Sequence, residues 1–556
     1  MWGRGLGVGR VDEGLRGGVF CDQVGALKAD LNNLDAGHWT RLFWRLLGWL
    51  VVFRLVFLGF FVGSVDLAGD EAYYWDWGRQ PAWGYYSKPP LIGWLMTVVG
   101  ALGFGSFGTE VAVRAMSLFI GTLSLVVLHA LVRRLFDERA ALVTVLLVVL
   151  TPANAALNLF LTIDAPLVLL WSGALLLFWR AAERPGAWGR WLALGGVIGL
   201  GVLSKQMMLV FPVLMLLWVG LSKGDRGLFG RAGFWVAMLL GVAALTPVLW
   251  WNQQHNWITL EHTKHHFNVD ANSVADHVGE FLLFPALQAL LYTPVTWVLL
   301  MGVLWKVWRG WRGLGRPALF LAVFSALPLA PFFMLALRQE VNPNWPAVFY
   351  IGLFGLLGAW FSGALFGGLS GAWRLRTLVV AGVFAVATYL LPLLIEVTGA
   401  QGRKPVDVFV DLRGWEEAGR QAGAFLDKVP RPEETLVVVM GHRYNAAHMA
   451  FHMPQRPRVY RWERDGRVMS QYEVWDAPTD KVGWDALVIY PDSDIGLARK
   501  PLTTHFSSHF REVEVLGEIR VPIGDGKPYS AQVVLCKNMK RWPPPVPAVA
   551  PSPQAP

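Results

Sequence analysis

Residues 141–150 read ALVTVLLVVL and residues 167–177 read LVLLWSGALLL. Neither run carries a charge, and a segment needs about 20 mostly apolar residues to cross a hydrocarbon core. Trp235–Trp251 and Leu378–Leu394 repeat the pattern. The chain of 556 residues is 54% hydrophobic and 16% charged, whereas soluble domains carry about a quarter charged residues. Apolar residues gathered into long runs along most of the chain argue against a large soluble helical protein and for a polytopic membrane bundle.

Working outward from those runs, about eleven spans are expected, near 43–64, 110–132, 139–156, 163–180, 190–204, 206–222, 232–251, 281–305, 317–337, 344–362 and 377–397. With the N-terminus inside, every second connection is basic: Arg133, Arg134 and Arg139, then Arg180, Arg184 and Arg190, then Lys223, Arg226 and Arg231, then Lys306, Arg309, Arg312 and Arg316, then Arg374 and Arg376. That alternation is the positive-inside pattern, and an odd number of spans then puts everything after 398 outside. The net charge of +9 is spread over these loops and forms no dense tract for nucleic acid. Cys21 and Cys536 fall on opposite sides of the membrane in this topology, so no disulfide is expected between them. Residues 1–40 are Gly-rich and lack the apolar core and cleavage site of a signal peptide, so they are expected to be a disordered cytoplasmic leader.

The expected fold class is therefore mainly α: a transmembrane helical bundle over 41–397, with a C-terminal extracytoplasmic α/β domain over 398–540. In that domain Gly414–Val429 has a helical pattern, Thr435–Met440 (TLVVVM) and Asp485–Tyr490 (DALVIY) read as buried strands, and Val513–Val521 with Ala531–Cys536 as an antiparallel pair. Residues 541–556 are Pro-rich and expected to be disordered.

The first outer loop, 65–109, contains DEAYYWDWGRQPAWGYYSKPPLIGWL from Asp70. Long loops of this kind are more often functional than connecting. Basic residues are depleted from outer connections, so Arg79, Lys88, Lys205, Lys264 and Arg338, with Arg114 at the start of the second span, ask for a reason. Snorkelling to lipid headgroups is one reading, and a cationic site for a phosphate is the other. Asp70, Glu71 and Asp164 are acids at the edge of the bilayer, where a carboxylate is costly without a partner or a water-filled cavity. Helix capping is the competing reading for Asp164, since Pro166 follows in the first turn.

The run Asp70-Glu71-Ala72-Tyr73-Tyr74, followed by Gly84-Tyr85-Tyr86-Ser87-Lys88-Pro89-Pro90-Leu91, resembles glycosyltransferase family 39, with its lipid A aminoarabinose transferases and protein O-mannosyltransferases. Asn158–Pro166 is similar to the family's second acidic motif, Gly199–Lys205 (GLGVLSK) to the segment closing the fifth span, and Pro247–Trp257 (PVLWWNQQHNW) to its outer-loop motif. These motifs stand in order over roughly the first 350 residues. The resemblance implies the type C membrane glycosyltransferase fold in a bacterial inner membrane, a polyprenyl-phosphate monosaccharide donor, and a site facing away from the cytoplasm. It implies Asp70 as the acid/base residue, with Glu71 and Asp164 as further acids. Lys88, Lys205 and Arg338 would hold the donor phosphate, and Tyr73, Tyr74, Tyr85, Tyr86, Asn252 and His255 would line the substrate. A carboxylate can take the proton of a sugar hydroxyl as it attacks C1, while cations stabilise the departing phosphate in an inverting single displacement.

No cofactor is named by the sequence. A divalent metal ion is the one candidate, on His262 and His266, which a helix would place on one face, and a solvated loop with surface histidines is the alternative. Gly441-His442-Arg443-Tyr444 follows a strand and could begin an anion-binding helix. A lipid-linked glycan transporter or flippase would also have many spans, but no internal repeat and no paired Gly/Pro-broken spans are apparent. An oligosaccharide ligase or polymerase using a diphosphate-linked donor is the other alternative. Expected partners are the lipid-linked donor, membrane lipids and an extracytoplasmic acceptor. A reporter fused after residue 400 should read as extracytoplasmic; a cytoplasmic signal would overturn the topology.

Overall fold

The structure, a computed structural model, describes residues 35–102, 108–265, 274–404, 406–463, 466–492, 505–524 and 526–543. Most of the expected leader, Cys21, His266 and the tail from 544 lie outside the described residues. By its contacts the chain divides after Val51. The N-terminal unit contributes the first part of the helix Ala36–Val62, which begins inside the stretch read as leader, and all that follows lies in the unit from Val52.

The chain is an integral membrane protein, mainly helical. Six helices are long and apolar enough to span: Ala36–Val62, Thr109–Leu135, Asp164–Glu183, Ala232–Gln254, Arg316–Leu335 and Gly371–Thr398. Two further pairs qualify together but are bent, Glu138–Val149 with Pro152–Leu159 by 76° and Phe281–Leu291 with Pro294–Gly313 by 111°, which gives up to 8 spans by length and composition. The shorter apolar helices Trp188–Ser204, Gln206–Leu221 and Ala347–Ser362 occupy the remaining windows read from the sequence. Trp171, Phe178, Trp191 and Trp218 are fully buried where these helices pack.

The two bends correct the sequence reading, which ran 139–156 and 281–305 through as continuous spans. Proline has no N–H to give the preceding turn, so Pro152 and Pro294 each begin a new helix. Freed backbone groups are costly at membrane depth unless something satisfies them. At the first break the Thr151 hydroxyl donates to the Val148 carbonyl at 2.7 Å and accepts the Asn154 N–H at 3.2 Å. At the second, Thr293 takes a left-handed φ of 63° and its hydroxyl donates to that of Thr296 at 2.8 Å.

The C-terminal part carries a five-stranded sheet in the order β2-β1-β3-β5-β4. Its strands are β1 Thr435–Met440, β2 Val459–Trp462, β3 Asp485–Pro491, β4 Phe510–Val521 and β5 Tyr529–Met539. β1 pairs in parallel with β2 and β3, and β5 pairs antiparallel with β3 and β4. β1 and β3 are buried along their whole length, as continuous apolar strands in a covered sheet must be. The antiparallel pair expected near 513–536 is β4 with β5, whereas β2 has only four residues and was not read from the sequence.

One face of this sheet shares its core with the loop 65–109. Leu67, Ala72, Tyr73 and Trp77 belong to a single apolar cluster with Ala418, Val437, Ala446 and Leu487. Polar latches cross the same seam. Arg79 donates to the carbonyls of Arg456 at 2.9 Å and Pro457 at 3.1 Å. The Tyr472 hydroxyl donates to Asp76 at 2.9 Å, and the Trp415 N–H donates to Asp66 at 2.7 Å.

Within the loop, the helix Gly69–Gly78 is fixed at its start by Glu71. Its carboxylate accepts the Ala68 N–H at 3.0 Å and, with the other oxygen, the Leu161 N–H at 2.8 Å. One fully buried side chain thus caps a helix and ties it to the turn before the next acidic motif. Glu71→Gln would present an amide N–H to one of these two donors. It should destabilise the protein by roughly 1–3 kcal/mol, read as a lower unfolding temperature in detergent; an unchanged transition would show that the contact contributes nothing.

Candidate active site

Asp70 lies in the first turn of the Gly69–Gly78 helix, beside the cap that Glu71 makes. Its Oδ1 accepts the Tyr444 hydroxyl at 2.8 Å, and no described residue hydrogen-bonds its Oδ2. Burial pushes the Tyr444 phenol up to about 12, with the Asp70 charge adding to the effect, so Tyr444 stays protonated and donating at neutral pH. The contact depends on Gly69. A Cβ there would lie 2.5 Å from the Tyr444 ring, so only glycine lets the ring rest against the helix start.

Asp164 begins the helix Asp164–Glu183, but its side chain makes no capping bond to that helix. It is buried, pairs through Oδ1 with the Lys205 ammonium at 2.8 Å, and accepts Asn344 Nδ2 through Oδ2 at 2.7 Å. Lys205 follows the last residue of the helix Trp188–Ser204, and the Ser204 hydroxyl donates to the Ile163 carbonyl at 3.0 Å, which holds the two helix ends together. Asp164 is therefore a compensated charge, and Asp70 keeps one oxygen unengaged.

Both acids line a cavity of about 700 Å³. Its polar end also carries Asn344, His442, Tyr444 and Asn445. Its depth is apolar, with Leu125, Leu128, Val168, Ile351 and Phe354 among its walls. Both broken spans reach it, through Thr151 and Asn154 at the first break and Leu291 and Tyr292 beside the second. Irregular backbone at membrane depth is tolerated where it lines such a cavity. Burial, with the neighbouring Arg443 charge, pushes the His442 imidazole down to about 4, so His442 is neutral at neutral pH.

Lys88 sits within the field of both acids. Its ammonium makes no hydrogen bond or ion pair with a described residue. Burial, and then the like charge of Lys205, lower its pKa from the ordinary lysine value, while Asp70 and Asp164 oppose the shift. Asp70 and Asp164 thus line one cavity, Lys205 pairs with Asp164, and Lys88 lies within the field of all three.

Glu71, Tyr73, Tyr74, Tyr85, Tyr86, Asn252, His255 and Arg338 are placed differently, and neither they nor Lys88 and Lys205 are among the cavity's lining residues. Glu71 is held by backbone groups, as described above. Tyr85 is buried, stacks on Trp77 at 4.3 Å and donates to the Trp77 carbonyl at 3.1 Å. The Tyr73 hydroxyl accepts the Gln471 N–H at 2.6 Å, and the Tyr86 N–H donates to the Gln471 side chain, also at 2.6 Å. Tyr74 is buried within the fields of Asp70 and Asp164. Asn252 accepts the Thr259 N–H at 3.2 Å and donates to the Val248 carbonyl, fixing a turn. His255 stacks on Trp251 at 4.0 Å. Arg338 is exposed, Lys264 pairs with Glu261 at 2.6 Å, and Arg114 is buried and donates to the Asp66 carbonyl at 2.7 Å. The His262 ring lies 4.7 Å from that of Tyr86. Among the described residues no group of three or more His, Cys, Asp or Glu could hold a metal ion, and His266 lies outside them.

Residues 87–251 match the family model described as dolichyl-phosphate-mannose-protein mannosyltransferase. The match encloses Lys88, Asp164 and Lys205, and Asp70 stands just before it. The architecture is similar to the crystal structure of ArnT from Cupriavidus metallidurans bound to undecaprenyl phosphate, with a TM-score of 0.57 over 87% of this chain and 98% of that one, at 20% identity. This is the type C glycosyltransferase fold. By sequence, the type C chain described here is 26% identical over 307 residues to the lipid A galacturonosyltransferase RgtD of Rhizobium johnstonii, covering 54% of this chain and 61% of that protein. It is 29% identical over 267 residues to the undecaprenyl phosphate-alpha-4-amino-4-deoxy-L-arabinose arabinosyl transferase of Erwinia tasmaniensis, covering 45% of this chain and 46% of that one. The chain thus spans less than two thirds of the length of these curated relatives.

Asn344 and Asn445, which line the cavity, were not singled out in the sequence. Asn344 has no signal beyond its place ahead of a short span. His442 and Tyr444 lie in the run after β1 that the sequence singled out as the start of an anion-binding helix, not as a partner of Asp70. The Gly69–Tyr444 contact is testable by coupling. Gly69→Ala should cost about 1–3 kcal/mol through overpacking. Adding Tyr444→Ala should relieve part of that loss in a double-mutant cycle of unfolding temperatures; strictly additive losses would mean the two residues do not touch.

Proposed function

We propose that this chain is a membrane glycosyltransferase that moves a monosaccharide from a polyprenyl-phosphate donor to an acceptor outside the cytoplasm, and that the acceptor is a lipid. The observation that carries the reading is Asp70, whose Oδ1 is held by Tyr444 while its Oδ2 is engaged by no described residue at the polar end of an apolar cavity. Such a carboxylate can accept a proton, and the cavity suits an amphiphile whose polar head meets the acids. The acceptor hydroxyl gives its proton to Asp70 Oδ2 as its oxygen forms a bond to C1 of the sugar. The bond from C1 to the phosphate oxygen breaks, the electron pair leaves with the polyprenyl phosphate, and Lys88 stabilises that charge. Attack opposite the leaving group inverts C1.

Asp164, with Lys205 and Asn344 on its two oxygens, acts as a fixed wall that positions the acceptor and keeps the Lys205 charge beside Lys88. The names of the two curated relatives, one acting on lipid A and one using an undecaprenyl-phosphate sugar, support this donor class and a lipid acceptor. The undecaprenyl phosphate bound in the structural neighbour supports it as well. The basic alternation of the loops supports placing the site and the 398–540 domain on the outer side, and the two bacterial relatives support an inner-membrane location.

Asp70→Asn preserves an acceptor for the Tyr444 hydroxyl and removes the base. It should cut transfer from radiolabelled polyprenyl-phosphate sugars into membrane lipids by about a hundredfold or more. Near-normal transfer by the folded variant would sink the assignment of Asp70. No transfer by the wild type from any donor of the panel would move the weight to a transporter or a diphosphate-glycan enzyme.

A further inference from the structure

Arg443 is the first residue of the helix Arg443–His452 and is half-buried. Elsewhere in the C-terminal part, arginines in such places hold carboxylates. Arg461 pairs with Glu473 at 2.7 Å and Glu463 at 2.8 Å, and Arg413 with Asp407 at 3.0 Å. Arg443 has no such partner among the described residues. Its guanidinium lies 4.7 Å from the ring centre of Tyr444 and 5.7 Å from that of Tyr73, with weak contacts to the His442 ring at 3.4 Å and the Tyr444 hydroxyl at 3.3 Å. Two aromatic faces thus hold the side chain in place and leave most of its donors unspent.

Its charge is felt at two places that matter. Lys88 and Asp70 both interact electrostatically with Arg443. Lys88 is the other cation near the acids without a direct partner. Two like charges that feel each other while partly buried repel and lose hydration, and an anion bound between them would offset both costs. Arginine suits that role, because its planar fork matches phosphate oxygens and cannot be neutralised, whereas lysine supplies a point charge. The next residue in the chain, Tyr444, is the one that holds Asp70. One turn of one helix therefore touches Asp70 and carries a cation within the field of Lys88.

We propose that Arg443, carried by the C-terminal part of the chain, is a second ligand with Lys88 for the phosphate of the polyprenyl-phosphate donor. This rests on the donor class argued above and extends the centre beyond the segment that matches the family model, which ends at Trp251.

The test is direct binding of tritiated undecaprenyl phosphate to the purified full-length protein in lipid nanodiscs, with neutral tritiated undecaprenol as control. Arg443→Met, close in volume and uncharged, should weaken undecaprenyl phosphate by about ten- to a hundredfold and leave undecaprenol unchanged. Arg443→Lys, which keeps the charge without the fork, should fall between, and it decides the matter if Arg443→Met does not fold. Equal binding of the phosphate by folded wild type and variants would overturn the role of Arg443 and leave the donor class standing. Equal weakness of Arg443→Lys and Arg443→Met, with undecaprenol also lost, would mean that the arginine serves packing and would overturn it too. A wild type that binds undecaprenyl phosphate no better than undecaprenol would bring down the donor class and this inference together.

Discussion

A single buried carboxylate organises the cavity end of this membrane bundle. Glu71 receives one N–H from the start of its own helix and another from Leu161, ninety residues on in the chain. The first N–H fixes where the Gly69–Gly78 helix begins, and therefore where Asp70 points. The second fixes the turn that leads into the helix of Asp164. The distance between the two acids at the cavity is thus set by a group that does not line it. Burying a carboxylate is costly, and it is tolerated here because both oxygens meet donors that would otherwise be unsatisfied themselves.

The two acids that do line the cavity divide the electrostatic work. Asp164 is closed off, with an ammonium on one oxygen and an amide on the other, so its charge is neutralised in place. Breaking such a buried pair from one side typically costs about 3–5 kcal/mol, which makes it suited to holding geometry. Asp70 is held by one neutral hydroxyl, which orients the carboxylate without cancelling its charge. A protonatable oxygen beside a fixed and compensated one is an arrangement suited to moving a proton in a set direction.

The bundle was legible because the bilayer demands long apolar runs, and those runs survive any detail of packing; the strands TLVVVM and DALVIY were legible for the same reason, being buried on both faces. The bends at Pro152 and Pro294 were not, since hydropathy averages over a break when the residues on either side are equally apolar. The acids and Lys88 stood out in the sequence because charge is conspicuous at the membrane edge. The tyrosines misled for the opposite reason: aromatic residues are common at the interface, and most of those in the first loop serve to pack it against the C-terminal sheet. Tyr444 was beyond reach, because its partnership with Asp70 spans 374 positions and depends on a glycine whose role appears only when the ring lies against it.

That long separation has a consequence for how the protein comes into being. Asp70 is synthesised and delivered to the membrane long before Tyr444 has been translated. Until the C-terminal part has emerged and docked on the first loop, Asp70 has no hydroxyl to orient it, and the seam that buries Leu67, Tyr73 and Trp77 is open. The spans can therefore insert and assemble while the centre is still unfinished. The last act of biogenesis, the folding of the C-terminal sheet, is also the act that completes it, so damage to that sheet would be felt as a defect at the polar end of the cavity.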